Sequence, residues 1–99
     1  MNDINYFGSI VKILENPSQS FFINDILMIK LRVQLPQSRN TTMVHLIFWG
    51  NLASDVVSYY KTNDYIIIEG YLGLPKTLNS KRVEVTVLKV YPLLINSNK

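Results

Sequence analysis

The sequence predicts an all-β domain of five strands, with one short helix between the third and fourth strands. Three observations support this prediction. The chain has 99 residues, 47% of them hydrophobic and 17% charged, which suits one folded core and leaves no room for a second. Apolar and polar residues alternate along several segments, as in half-buried strands. One segment instead repeats its apolar residues at helical spacing.

Turn-forming residues bound the first two predicted strands. Residues 6–14 are dense in apolar side chains and lead into a turn at Pro17, a residue that cannot donate to a ladder. Residues 26–35 alternate with period two. One face of this second strand is apolar, and the other carries the cations Lys30 and Arg32. We therefore expect a core face and a cationic outer face.

A change of period follows the third predicted strand. Residues 43–49 are β-branched and aromatic, as strands prefer, and end in Trp49. In residues 51–60 the apolar positions recur every three to four residues, which predicts a helix of about three turns. Asn51 is a residue type that caps helix starts, so we expect it to cap this one.

Two further strands complete the pattern. Period two returns over residues 65–72, the fourth strand, and over residues 81–91, the fifth. Five strands with a helix between the third and fourth is the element order of the OB-fold, a Greek-key barrel that commonly binds oligonucleotides or oligosaccharides. We expect residues 1–95 to form a single OB-fold domain and residues 96–99 to be a frayed tail.

Charge and composition narrow the range of functions. The formal net charge of +3 gives a mildly basic chain, which suits a polyanionic partner. No cysteine is present, which excludes disulfides, thiolate metal sites and cysteine nucleophiles. The seven acidic residues are scattered, and the single histidine has no carboxylate or serine at motif spacing. We therefore expect no enzyme activity, no metal and no cofactor. No apolar run is long enough to cross a membrane.

A family resemblance adds to this picture. It is carried by three runs: His45-Leu46-Ile47-Phe48-Trp49-Gly50-Asn51-Leu52-Ala53, Tyr60-Lys61, and Ile66-Ile67-Ile68-Glu69-Gly70. Together they resemble the bacterial and organellar single-stranded-DNA-binding protein (SSB) family. The chain looks closest to the SSB-like reading frames of red-algal plastids and more distantly like the primosomal protein PriB. The resemblance implies an OB-fold that coats single-stranded DNA during replication and repair. It also implies a plastid stroma, or otherwise a bacterial-type cytoplasm or nucleoid.

Binding a single strand requires exposed rings on which bases stack and cations that follow the phosphates. Trp49 falls where the family places a base-stacking ring, although a tryptophan is often a core residue. Lys30 and Arg32 lie two residues apart and so point to the same side of the barrel, where a solvated charge pair is the alternative. His45 aligns with a position that is often basic in the family, and a surface or capping role is the alternative.

The remaining candidates lie on loops and on strand four. Loop cations often clamp a strand in OB-folds, although solvated loop cations are common. Tyr71 faces outward and is expected either to stack a base or to line a subunit interface. The full candidate set is Lys30, Arg32, Arg39, His45, Trp49, Tyr71, Lys76, Lys81 and Arg82.

Two functions remain open at this point. The first is coating of single-stranded DNA, which the basic outer face of strand two favours. The alternative is a PriB-like interaction module that docks replication proteins and binds nucleic acid weakly. The scarcity of basic and aromatic residues after Gly70 favours this alternative. Under either function, the outward positions Tyr6, Ile67 and Tyr71 would leave an apolar surface on a monomer. We therefore expect a homodimer or homotetramer.

Overall fold

Six strands and one helix make up the fold. The computed structural model describes residues 5–17, 20–36, 44–73 and 83–93. The elements in chain order are β1 (Tyr6–Ile13), β2 (Ser20–Ile23), β3 (Ile26–Gln34), β4 (Val44–Trp49), α1 (Gly50–Tyr59), β5 (Tyr65–Gly73) and β6 (Val83–Pro92). The five predicted strands correspond to β1, β3, β4, β5 and β6, and the helix lies between the third and fourth of them as predicted. The prediction of an all-β fold with one short helix is therefore confirmed.

The six strands form one sheet in the order β1-β5-β6-β4-β3-β2. β1 also pairs with β3, where Lys12 lies opposite Gln34 and Ile13 opposite Val33. This second pairing joins β1, β5, β6, β4 and β3 into a closed circuit, with β2 outside it. The β4–β6 pair is parallel, whereas the other pairs are antiparallel. A parallel pair requires a crossover connection, which α1 and β5 supply here.

The interior of the circuit is packed with aliphatic side chains around one aromatic ring. Six of the inward residues that the alternation predicts are buried: Ile29, Leu31, Val33, Val44, Leu46 and Phe48. Leu35, predicted on the same face, follows the end of β3 and is half-buried. Ile66 and Ile68 of β5 and Ala53 and Val56 of α1 complete this part of the core. Full burial of one such large side chain contributes about 1.5–3 kcal/mol to folding. No polar or charged residue in the described ranges is buried.

The helix begins one residue earlier than predicted. Gly50 is its first residue, and Trp49 occupies the N-cap position with extended backbone and no side-chain cap bond. Asn51 therefore lies inside the first turn, and the prediction that it caps the helix is wrong. Gly50 has a φ of +63°, a left-handed conformation that glycine adopts most readily. This sharp turn sets where β4 ends and leaves Trp49 as its last residue.

β2 has no counterpart among the predicted strands. It pairs with the first half of β3 through a two-residue turn at Asn24 and Asp25. Both turn residues have positive φ, 51° and 67°. Positive φ at both central positions is typical of a type I′ turn, whose twist suits a hairpin. All four residues of β2 are exposed, so alternation of burial could not reveal the strand.

Candidate nucleic-acid interface

The outer surface of β3 and β4 gathers most of the described candidate residues. Three cross-strand pairs lie on it: Met28–Trp49, Lys30–Ile47 and Arg32–His45. Directly opposed residues of an antiparallel pair project to the same side of the sheet. We call this surface, made of these six side chains, the β3–β4 face. On this face, the Trp49 ring lies opposite Met28, which is two residues before Lys30 on β3.

Trp49 lies at the edge of this face and not in the core. Its side chain is 39% exposed, whereas the preceding residue, Phe48, is fully buried. The alternation between the two rings follows from the strand period, and the left-handed turn at Gly50 stops the strand directly after the outward ring. An accessible indole at a strand end can stack on a nucleobase.

Both cations of the β3–β4 face are paired with carboxylates. Lys30 Nζ lies 3.4 Å from Glu84 Oε2, and Arg32 Nε lies 3.2 Å from Glu15 Oε1. All four side chains are partly exposed, so each pair contributes little to stability. The carboxylates therefore hold the cations over the face without locking them there. A phosphate group would compete with Glu15 and Glu84 for these contacts.

Glu15 also binds the backbone of β3 at Arg32. Its Oε2 accepts a hydrogen bond of 2.9 Å from the backbone N–H of Arg32, while its Oε1 accepts from Arg32 Nε. The N–H of Leu14 donates in turn to the carbonyl of Arg32, at 3.1 Å. The segment just after β1 is thereby attached to the middle of β3, and the position of the Arg32 guanidinium is set by both strands.

Tyr71 lies on a different part of the barrel surface. It is opposite Tyr6 on β1, and the two rings meet edge to face with centroids 5.7 Å apart. The Tyr6 hydroxyl donates a 2.5 Å hydrogen bond to Glu69, and this bond raises the pKa of Tyr6 to about 12. Tyr71 is separated from Lys30 by β6 and β4, so the structure does not bring it into the β3–β4 face.

Tyr71 belongs to an outward surface that is largely apolar, with Glu69 lying among its side chains. Five side chains form it: Tyr6, Ile10, Ile67, Tyr71 and Tyr91. We call this surface the β1–β5 face. Four of the five are exposed, and only Ile67 is half-buried.

Arg39, Lys76, Lys81 and Arg82 lie outside the described residues, as does the tail at residues 96–99. Within the described ranges, no group of acidic residues and histidine is arranged to hold a metal ion. No helix in the same ranges is long and apolar enough to cross a membrane.

A groove on the β3–β4 face contains residues that the sequence did not single out. It has a volume of about 570 Å³ and is lined by Glu15, Phe21, Ile23, Met28, Lys30, Arg32 and His45. Phe21 and Ile23 belong to β2. The available sequence signal was two adjacent phenylalanines before an Asn-Asp turn, which is a weak indication of a hairpin.

The fold and the candidate site together define a protein of the OB-fold, SSB-like class. The strands form a five-stranded circuit, α1 leads from β4 to β5, and one outer face carries an indole and two cations. Solved structures confirm the fold. SSBb from Mycobacterium smegmatis superimposes with a TM-score of 0.76 at 26% identity, covering 98% of this chain and 100% of that one. The SSB domain of a Synechococcus protein gives 0.73 at 23% identity, covering 92% and 98%. PriB from Ralstonia solanacearum gives 0.71 at 10% identity, covering 92% and 100%.

Sequence comparison gives the family. The chain is 39% identical over 105 residues to ycf41 of Trieres chinensis, a protein named as single-stranded DNA-binding, and the match covers 95% of this chain and 93% of that protein. The chain therefore belongs to the ycf41 family of SSB-like proteins, and the family resemblance predicted from its sequence is confirmed. No protein-family model matches the chain.

Proposed function

We propose that this protein binds and coats single-stranded DNA, and that the β3–β4 face is the binding surface. The observation that carries the proposal is the presence of the Trp49 ring and the cations Lys30 and Arg32 on one outer face. Rings for bases together with cations for phosphates are what strand binding with little sequence preference requires. The name of the Trieres chinensis relative supports the same activity.

Each residue of the β3–β4 face has a distinct role in this proposal. Trp49 stacks on a base, while Lys30 and Arg32 contact phosphates after leaving their carboxylate partners. His45, opposite Arg32, adds a polar contact. The cations Arg39, Lys76, Lys81 and Arg82 are proposed to extend the path of the strand around the barrel. Tyr71 is proposed either to stack on a base of that strand or to line a subunit interface. The activity is binding and not catalysis.

The proposal also includes the setting in which the protein acts. We place it in the plastid stroma, or otherwise in a bacterial-type cytoplasm or nucleoid, and in DNA replication and repair. The ycf41 relative supports a plastid. The exposed side chains of the β1–β5 face support self-association into a homodimer or homotetramer. Replication proteins are the further partners that this role implies.

One observation favours the alternative, an OB-fold module that docks proteins and binds nucleic acid weakly. Both cations of the β3–β4 face already have carboxylate partners, so part of their attraction for phosphate is offset. Strong binding to oligo(dT) would decide against this alternative, because a docking module needs no such affinity.

The test is a salt titration of binding to oligo(dT). Trp49 is the only tryptophan, so quenching of intrinsic fluorescence reports stacking at this ring directly. Affinity should fall steeply with salt, with a slope reduced by about 0.7 for each cation removed in Lys30→Gln and Arg32→Gln. Trp49→Ala should weaken binding by about 1–3 kcal/mol. Because this variant has no tryptophan, its binding is measured by the fluorescence anisotropy of a labelled oligonucleotide.

Lys89→Gln is the matched control, because Lys89 lies on β6 opposite Glu69 and away from the β3–β4 face. It should leave the slope nearly unchanged. Absence of binding at low salt would overturn the proposal. An equal change of slope in Lys89→Gln would show that net charge, and not this face, determines binding.

A further inference from the structure

The hairpin strand β2 adds an aromatic ring to the surface already described. Phe21 lies opposite Met28, and Met28 lies opposite Trp49. Because opposed residues share a side of the sheet, these three side chains form one row across three strands, with an aromatic ring at each end. Phe21 is 50% exposed, so its ring is accessible to a ligand.

The two rings are too far apart to hold the same base. Neighbouring strands lie about 4.8 Å apart, so Phe21 and Trp49 are separated by roughly 10 Å. Successive bases in a stacked strand rise by about 3.4 Å. The separation therefore corresponds to roughly three base steps, and each ring would contact a different nucleotide of one strand.

The groove beside Phe21 has the composition that a nucleotide requires. Phe21 and Ile23 form its apolar side, while Lys30 and Arg32 supply positive charge in the same groove. A nucleotide likewise combines a flat apolar base with an anionic phosphate. Glu15 also lines the groove, but its carboxylate is engaged by Arg32. The charge and the continuity with the β3–β4 face therefore favour a segment of nucleic acid as the occupant.

The neighbouring residue Phe22 provides an internal comparison. It lies opposite Leu27, on the other side of the hairpin, and does not line the groove. At 71% it is more exposed than Phe21. Exposure of a phenylalanine ring alone therefore does not distinguish the two positions; only Phe21 shares a row with Trp49 and a groove with the cations.

We propose that this groove is a second nucleotide subsite, in which Phe21 stacks on a base while Lys30 and Arg32 contact the adjoining phosphate. The inference rests on the proposed single-stranded DNA binding and assigns the β2–β3 hairpin to it. The type I′ turn at Asn24 and Asp25 holds β2 beside β3 and so fixes the Phe21 ring over the groove.

The test compares Phe21→Leu with Phe22→Leu on two probes, oligo(dT) and an abasic oligonucleotide of the same length. Phe21→Leu removes the ring but keeps an apolar side chain. Its affinity for oligo(dT) should fall at least about fivefold, the lower end of what one stacked base contributes. Its affinity for the abasic probe should stay unchanged, because phosphate contacts remain. Phe22→Leu should match the wild type on both probes.

Two further measurements exclude a loss caused by misfolding. Phe21→Tyr keeps a ring and should retain wild-type affinity, and in Phe21→Leu the quenching of Trp49 at saturation should be that of the wild type. Equal weakening on both probes, or no weakening while Trp49→Ala does weaken binding, would overturn the Phe21 subsite and leave the proposed function intact. A wild-type protein that binds neither probe at low salt would overturn both.

Discussion

Lys30 and Glu84 illustrate how a single contact can tune binding. Their ion pair places a negative charge 3.4 Å from the amine proposed to contact phosphate. Partly exposed pairs of this kind contribute about 0.2–1 kcal/mol, which is small enough for a phosphate to displace the carboxylate but large enough to measure. If the β3–β4 face binds DNA as proposed, the acidic partner should lower its affinity.

Removal of that carboxylate should strengthen binding. We expect Glu84→Gln to tighten binding to oligo(dT) by roughly two- to fivefold at low salt, because Lys30 no longer has a competing anion. Asp55→Asn is the matched control, since it removes one negative charge from an exposed position of α1. The same gain in both variants would contradict a specific role for Glu84 and point to net charge alone.

The hydroxyl of Tyr6 predicts a dependence of stability on alkaline pH. The hydrogen bond to Glu69 raises the pKa of Tyr6 from 10.0 to about 12, so folding favours the protonated form. The stabilisation from this contact should be fully present below about pH 10 and be lost as the pH rises through 12. Above that range the phenolate can no longer donate and repels Glu69.

The measurement is the difference in unfolding free energy between the wild type and Tyr6→Phe across this alkaline range. The wild type should be the more stable protein below about pH 10, and the difference should vanish by the top of the range. Burial also raises the pKa of Tyr60, so a parallel ultraviolet titration of the phenolates should lose one late-titrating tyrosine in Tyr6→Phe while Tyr60 remains late. A difference that stays constant with pH would contradict the assignment.

Single residues also show where inference from sequence stops. The outward orientation of Lys30, Arg32 and Trp49 follows from alternation within one strand, and the sequence predicts it. Their partner Glu84 belongs to β6 and their partner Glu15 to the segment after β1, and which residue lies opposite which depends on register. Alternation in one strand carries no information about register with a distant one.

Among the secondary-structure elements, β5 and β6 contain the most restrictive contact. Their register shifts between Glu69 and Gly70, so Leu88 is an extra residue on β6, as in a β-bulge. A Cβ on Gly70 would lie 2.1 Å from the carbonyl oxygen of Thr86. Backbone cannot move aside as a flexible side chain can, so only glycine fits this approach.

Gly70→Ala should consequently destabilise the protein severely, by several kcal/mol, or prevent folding. Gly73→Ala is the control on the same strand, because its added Cβ would meet the nearest atom, Glu84 O, at an ordinary 3.5 Å. Chemical denaturation of the two variants checks the prediction. Similar stability of both variants would show that the β5–β6 crossing can relax.

The elements differ in how strongly the sequence specifies them. β3, β4 and β5 are long, and one face of each is buried, so their period is clear. β2 is short and exposed on both sides, and only its pairing with β3 defines it. The helix start was misplaced because the left-handed turn at Gly50, and not a capping side chain at Asn51, ends β4.

Considered as a whole, the molecule exposes a second, largely apolar surface away from the β3–β4 face. The β1–β5 face carries Tyr6 at 53% and Ile10 at 40% exposure. In addition, β1 pairs with β3 only at Lys12 and Ile13, so in the described structure the rest of that edge has no strand beside it. Apolar side chains next to an unpaired strand edge favour association between copies.

Ile10→Asp should therefore shift the protein toward the monomer, because a charge would then be buried in the proposed interface. Mass measurement by light scattering over a range of concentrations checks this. Val57→Asp, at a position of similar exposure on α1, should leave the oligomer intact. A wild-type monomer at high concentration would contradict the proposed self-association.

Closure of the barrel depends on little backbone pairing. Two residue pairs join β1 to β3, and three hydrogen bonds extend the contact: the Leu14 N–H donates to the Arg32 carbonyl, and Arg32 donates two bonds to the Glu15 carboxylate. Local opening begins where few backbone hydrogen bonds must break. Amide hydrogen exchange should therefore be faster along the contact between β1 and β3, which we call the seam, than between β3 and β4. Because Arg32 belongs both to the seam and to the β3–β4 face, a bound strand that restrains Arg32 would slow that exchange. The rate of amide exchange at the β1–β3 contact would therefore show whether a nucleic-acid strand is bound on the β3–β4 face.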